Sequence, residues 1–253
     1  MFVKVIACEI AFREICHAAA RSPSVVELEF LPQGYHDTPA VGRAELQRRV
    51  DSAPAGKYEA ILLGYGLCSN ILAGLAARHT RLVIPCAHDC IALFLGSKRR
   101  YQQMFNARPG TYYYTGGWLE YRVRRAGQLP PGSGTFLPAH SAAALQATYQ
   151  EWVAKFGEEK ARYLAGVMNQ WTANYTHGVL IEFDFAKPLR LRAQVRKICA
   201  QRGWQFGAVK GDLRLLQRWL DGDWPARDFL VVPPGQRVVP TYNDEIIGTE
   251  AAE

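Results

Sequence analysis

No apolar run in the 253 residues approaches the ~18 needed to cross a bilayer, which excludes a membrane-spanning helix. The opening segment, MFVKVIACEIAFREICHAAARS, has acidic residues within it and no secretory cleavage pattern. It reads as a strand followed by a helix, so a cytosolic chain is expected. There is no repeat at a fixed period, which excludes solenoid and propeller arrays, and no low-complexity segment. The glycines of Gly64-Tyr65-Gly66 belong neither to a P-loop nor to a complete dinucleotide fingerprint. No RNA- or DNA-binding motif is present, and nucleic acid is not an expected partner. Disorder needs few apolar residues and excess charge, whereas 49% of this chain is hydrophobic and 21% charged.

The length allows one large domain or two modest ones. Thirty basic against 23 acidic residues give a net charge of +7, which favours a small anionic partner. Six cysteines in a cytosolic chain of this size point away from a disulfide framework. They read instead as core thiols, metal ligands or nucleophiles.

Apolar periodicity sets the expected order of elements. Strands are predicted over 2–7, 25–31, 59–64 and 81–85, and helices over 9–20, 41–52, 69–78 and 90–105. That alternation is the signature of a parallel sheet covered by helices. Residues 109–123, PGTYYYTGGWLEYRV, read as an aromatic hairpin or an extended crossover, and 126–134 as a Pro/Gly hinge. Helices are then predicted over 140–156 and 158–174. Alternation returns with strands over 178–183, 204–209 and 228–232 and helices over 187–202 and 212–220. The tail beyond 232 reads as irregular.

In a parallel sheet the loops after the strands share one edge, and ligands bind there. Strand one ends at Cys8-Glu9, strand two leads to His36-Asp37, strand three to Cys68, and strand four to Cys86, His88, Asp89 and Cys90. With the common order 2-1-3-4, Cys8 and Cys68 become neighbours. Thiolates and imidazoles suit borderline and soft ions. Cys8, Cys68 and Cys90 with His88 or His36 would suit zinc, and three cysteines with an open position would suit an iron–sulfur cluster. The same residues allow a metal-free site. A cysteine at a helix start has a lowered pKa, His36 or His88 could act as base, and Asp37 or Asp89 could orient it. Two facing thiols could also serve as acid and base on a carbon acid. Asp89 could equally be no more than the cap of the helix at Cys90.

Gly64 and Gly66 would let an anionic ligand approach the backbone, or simply make a tight turn. Lys98 and Arg99, with Arg100, form either a solvated helix face or a basic wall for a cofactor. Lys210, Gly211 and Asp212 could complete a cleft. Tyr112, Tyr113, Tyr114 and Trp118 would pack on the core or stack a planar ligand. Cys16 and Cys199 read as core thiols.

The segments ACEI, LPQGYHDTP, ILLGYGLCSN, IPCAHDCIALFLGSKRRY, PGTYYYTGGW and VKGDLRLLQRWLDGDW resemble the domain-of-unknown-function family DUF1638 over nearly the whole chain. The resemblance implies an enzymatic or accessory role in metal, corrinoid or one-carbon metabolism, because members are often encoded near corrinoid-dependent methyltransferases. A corrinoid protein or methyltransferase is then an expected partner, and a corrinoid would be met through it. The motifs mark Cys8, His36, Cys68, His88, Asp89 and Cys90. Cys86 drops out, because the family often has arginine at that position.

The combined expectation is an α/β protein of two Rossmann-like parallel-sheet units flanked by helices, 1–125 and 126–253, joined by an aromatic crossover. Cys8, Cys68, His88 and Cys90 would hold zinc or a cluster, with Asp89 and His36 catalytic and Gly64, Gly66, Lys98 and Arg99 holding a cofactor. A non-enzymatic metal- or corrinoid-handling partner and a metal-free Cys/His enzyme remain the alternatives.

Overall fold

A computed structural model describes residues 1–36, 38–67, 70–124, 149–150, 153–154, 157–162, 174–241 and 245–252. The first half runs β1 (Phe2–Cys8), α1 (Phe12–Ala19), β2 (Val25–Leu31), α2 (Pro39–Asp51), β3 (Ala60–Gly64), β4 (Leu82–Pro85), α3 (Cys90–Leu95), α4 (Lys98–Ala107), β5 (Thr111–Tyr114) and α5 (Gly116–Arg124). The second runs β6 (His177–Glu182), α6 (Leu191–Arg202), β7 (Gln205–Lys210), α7 (Arg214–Asp221), β8 (Phe229–Val232), β9 (Gln236–Pro240) and β10 (Ile247–Ala251). Short 3₁₀ turns at Glu9–Ala11 and Gln33–His36 follow β1 and β2.

The first sheet has the order β2-β1-β3-β4-β8, parallel except for β8. The expected order of the first four strands is therefore found. The strands AILLG and LVIP are buried on both faces, which explains why they read as continuous apolar runs. Alternate residues divide between two cores. Val3, Val5, Ala7, Leu62 and Val83 face a core shared with α1, α3, α7 and the second sheet. Ile6, Ile61, Leu63, Leu82 and Ile84 face α2, β9 and β10.

The second sheet, β5-β6-β7, is wholly parallel. Sheet membership does not follow the division at 125/126. β5 comes from the first part yet edges the second sheet, and β8 comes from the second part yet closes the first sheet against β4. Tyr112–Tyr114 form no hairpin: they are a parallel strand on β6, in the aromatic segment that carries the chain from the first sheet to the second.

Other expectations are corrected. The helix predicted over 69–78 is absent from its described residues. Gly74 adopts φ +85°, and the backbone bonds across to β9 instead of up a helix: Gly74 N–H to Val238 O, Ala77 N–H to Gln236 O, and Val238 N–H to Leu75 O. The Gln47 side chain clamps both backbone groups of Ala76. The helix predicted over 90–105 is two helices, because Gly96 turns left-handed at φ +72° and Ser97 starts a new cap. The irregular tail contains the antiparallel pair β9–β10. The helices expected over 140–156 and 158–174, and the 126–134 hinge, lie largely or wholly outside the described residues. No helix among the described residues is long and apolar enough to cross a membrane.

Glu14 on α1 is 1% exposed, and its Oε2 has no hydrogen-bond partner among the described residues. Burial, reinforced by the nearby Glu120 carboxylate, raises its pKa from 4.5 to about 7. The folded protein keeps this proton while the unfolded chain loses it, so stability falls as pH rises from about 4.5 to 7 and levels off above that. The loss is on the order of 3 kcal/mol. Glu14→Gln is expected to flatten this slope and to be the more stable form at pH 8. Urea unfolding of both proteins at pH 5 and pH 8 checks it; an unchanged slope in the variant would clear Glu14 as the cause.

Candidate functional site

The carboxyl edge of the first sheet opens into a cavity of about 300 Å³. Each of its four parallel strands sends residues to it, as the edge rule requires. Cys8 ends β1. Pro32, Gln33 and His36 follow β2, Gly64 and Gly66 end β3, and Asp89 and Cys90 follow β4. The opposite wall is aromatic: Phe94 of α3, Tyr101 and Phe105 of α4, Tyr112 and Tyr113 of β5, Trp118 of α5, and Tyr175. The volume lies at the lower end of the range for small-molecule pockets, and an apolar wall with few polar groups is typical of them.

The wall is locked by its own contacts. Trp118 Nε1 donates to Tyr112 Oη at 2.9 Å, and Tyr112 packs edge-on against Tyr175 at 5.3 Å. Tyr101 and Tyr113 meet edge to face at 5.9 Å.

Asp89 holds the polar end together. Its Oδ1 accepts from Ile91 N–H at 2.9 Å and so caps α3. The Tyr101 hydroxyl donates to the same carboxylate. Burial raises the Asp89 pKa, and the hydrogen bonds oppose that rise without cancelling it. Burial and then the Asp89 charge raise Tyr101, and the same two causes raise Tyr113. A partly desolvated carboxyl beside phenols, in a cavity, is a group suited to holding or passing a proton.

Gln33 is 3% exposed and lines the cavity, and its Oε1 finds no partner among the described residues. Its backbone N–H donates at 2.9 Å to Oε1 of Glu9, itself 1% exposed, which fixes the loop after β2 to the end of β1.

The two glycines have structural reasons to be glycine. A Cβ at Gly64 would come within 2.5 Å of Ala7 Cβ, and one at Gly66 within 2.6–2.8 Å of the Asp89 backbone. Gly66 thus lets the loop after β3 press against the turn that carries Asp89.

The structure brings together Cys8, His36, Gly64, Gly66, Asp89 and Cys90 from the expected set, with His36 exposed at the rim. His88 is exposed and does not line the cavity. Arg99 is also exposed, and Lys98 lies where its charge acts on Cys86. Burial pushes the Cys86 thiol up to about 11, which suits a core residue. Cys199 is buried against Gly178. Cys68, Asp37 and Ser69 lie outside the described residues. Among the described residues, no group of three or more His, Cys, Asp or Glu side chains could hold a metal ion. Lys210 lines a second cavity, of about 380 Å³, at the carboxyl edge of the second sheet with Lys187, Arg190 and Arg192. Asp212 donates its backbone N–H to Phe94 O and packs on Gly96.

Gln33 and Tyr101 were not singled out from the sequence. Gln33 follows strand two in LPQGYH, so the edge rule that selects His36 also covers it. Tyr101 and Phe105 share a helix face at i, i+4, a pattern hidden by the break at Gly96.

A family model described as a protein of unknown function, DUF1638, matches residues 30–220. No curated protein and no solved structure matches the chain.

Proposed function

Because the chain belongs to the DUF1638 family of proteins of unknown function, we propose its function from the cavity itself: it binds a small flat organic molecule and exchanges protons with it. Asp89 is the proton-carrying group, held by Tyr101 and the start of α3. Cys8 and Cys90 supply thiols beside the bound molecule, as nucleophiles or as an acid–base pair. One observation carries this reading. A carboxyl with a raised pKa and two thiols meet on an aromatic-walled cavity at the ligand-binding edge of a parallel sheet. Among the described residues lining it there is no lysine or arginine, so the wall favours a neutral or cationic molecule over the small anion suggested by net charge.

The reading requires a cavity open to small reagents. Iodoacetamide at pH 8, with site-by-site mass spectrometry, should modify Cys90 and Cys8 at least about tenfold faster than the buried Cys86 and Cys199. Equal, slow modification of all four would close the cavity and end this reading.

A second reading keeps the zinc site. Two thiols already face one cavity, and Cys68 would complete a thiolate set with them, His36 or solvent filling the fourth position. Zinc bound there would lower the pKa of a coordinated thiol or water, the chemistry a methyl-transfer role would need. An iron–sulfur cluster would draw on the same three cysteines. An accessory role beside a corrinoid protein rests on the family resemblance. Elemental analysis of untagged protein purified without oxygen, beside Cys8→Ser, decides among them. One zinc per chain, lost in the variant, is the result expected of the zinc site, and iron with sulfide that of the cluster. No stoichiometric metal in folded protein would sink both.

A further inference from the structure

Building on the small-molecule reading above, we infer that the ligand is a flat heteroaromatic ring carrying an in-plane N–H donor, and that Gln33 is the residue that selects it. Gln33 is 3% exposed, yet among the described residues its Oε1 has no hydrogen-bond partner. Buried carbonyl oxygens in folded proteins are nearly always paired, because leaving one unpaired forfeits the hydration it had in the unfolded chain. This oxygen belongs to a residue lining the cavity, and a turn of the carboxamide toward the cavity would let a bound molecule supply the missing donor.

Gln33 is also held in place. Its backbone N–H is fixed at 2.9 Å to the buried Glu9 carboxylate, so the acceptor is presented by an anchored turn. Preorganisation of this kind lowers the ordering cost of binding. The rest of the lining specifies the body of the ligand. Tyr112, Tyr113 and Trp118 offer ring faces, and ring stacking favours a flat molecule. Asp89, the acidic residue among the described lining, has a carboxyl that can accept from a second donor on the same ring. With no lysine or arginine among the described lining residues, phosphate and carboxylate substituents find no permanently charged partner there.

Selection by an unpaired acceptor is sharp. A ring that lacks the donor leaves Gln33 Oε1 dry and unpaired, whereas a ring that has it gains the bond. About tenfold in affinity is expected from one such bond.

The test is calorimetric titration of the full chain with three bicyclic probes of one shape: quinoline, which has no donor, 2-aminoquinoline, which has an amino group, and 2-quinolone, which has a ring N–H. The expected result is that at least one donor-bearing probe binds about tenfold tighter than quinoline. Gln33→Met, which keeps length without an acceptor, should erase that preference, and Gln33→Glu, which keeps an acceptor, should retain it. Equal affinity of all three probes for the unaltered protein would overturn the inference whatever the variants do. So would a preference that survives in a folded Gln33→Met protein. Absence of binding by every probe would overturn it too. The iodoacetamide measurement is independent of these probes. Rapid Cys90 modification with no donor preference would therefore remove the inference and leave the small-molecule reading standing.

Discussion

Gly117→Ala is expected to destabilise the protein by at least about 3 kcal/mol, while Gly116→Ala, one residue earlier, is tolerated. A Cβ at Gly117 would stand 1.8 Å from the backbone oxygen of Ile10. That atom lies in the 3₁₀ turn directly after β1 and cannot swing aside as a flexible side chain can. The first turn of α5 must therefore lift off the end of β1. Three links are strained together: the Thr115 cap of α5 through Trp118 N–H, the Trp118–Tyr112 hydrogen bond, and the Arg13–Glu120 ion pair between α1 and α5 at 2.9 Å. At Gly116 the nearest atoms to a new Cβ are 3.6 Å away, an ordinary contact, and alanine is the better helix former by roughly 0.5–1 kcal/mol. Urea unfolding of the two variants measures the contrast. Equal stabilities would mean that α5 does not dock on β1 as described.

Trp219→Ala should cost about 3–5 kcal/mol, a large part of the 5–15 kcal/mol typical of a folded domain. Trp219 is fully buried on α7, and its Nε1 donates at 3.1 Å to Val83 O of β4. Its ring edge lies where a Cβ on Gly64 would be, 3.1 Å from that position, so β3 lacks a side chain where the indole passes. Alanine leaves a cavity under two central strands that no neighbour can fill without moving the sheet. Trp219→Phe retains much of the volume and loses the hydrogen bond, and a smaller cost of about 1–2 kcal/mol is expected. Thermal and urea unfolding of both variants checks the order. A mild Trp219→Ala would mean that α7 packs elsewhere.

The first sheet was legible because its physics is local. Val3, Val5 and Ala7 alternate with Ile6 along β1, and the runs in β3 and β4 are apolar on both faces, so strand positions and even their order followed. The helix misread over 69–78 shows where local patterning stops. Ile71, Leu72 and Leu75 are buried as an amphipathic helix would bury them, but their segment bonds to β9, some 160 residues later in the chain. A window of neighbouring residues holds no sign of that partner. The candidate site was legible to the extent that the edge rule gathers residues: it selected Cys8, His36, Asp89 and Cys90, and it would have selected Gln33 had polar amides been weighed with thiols. It could not tell that His88 faces outward while Asp89 faces in, because adjacent residues at a helix cap point in different directions. Nor could it supply the aromatic wall, whose Tyr112 and Trp118 reach the site only because β5 joins the second sheet.

The antiparallel pairing of Phe229 with Pro85 joins positions 144 residues apart. At a synthesis rate of about 5–20 residues per second, β4 leaves the ribosome roughly 7–30 s before its partner exists. During that interval the nascent chain carries an open strand edge of LVIP, the kind of edge that recruits stray strands. The order in which this chain is made therefore differs from the order in which its sheet can close, and a chaperone that shields apolar strand edges would have its work during that wait.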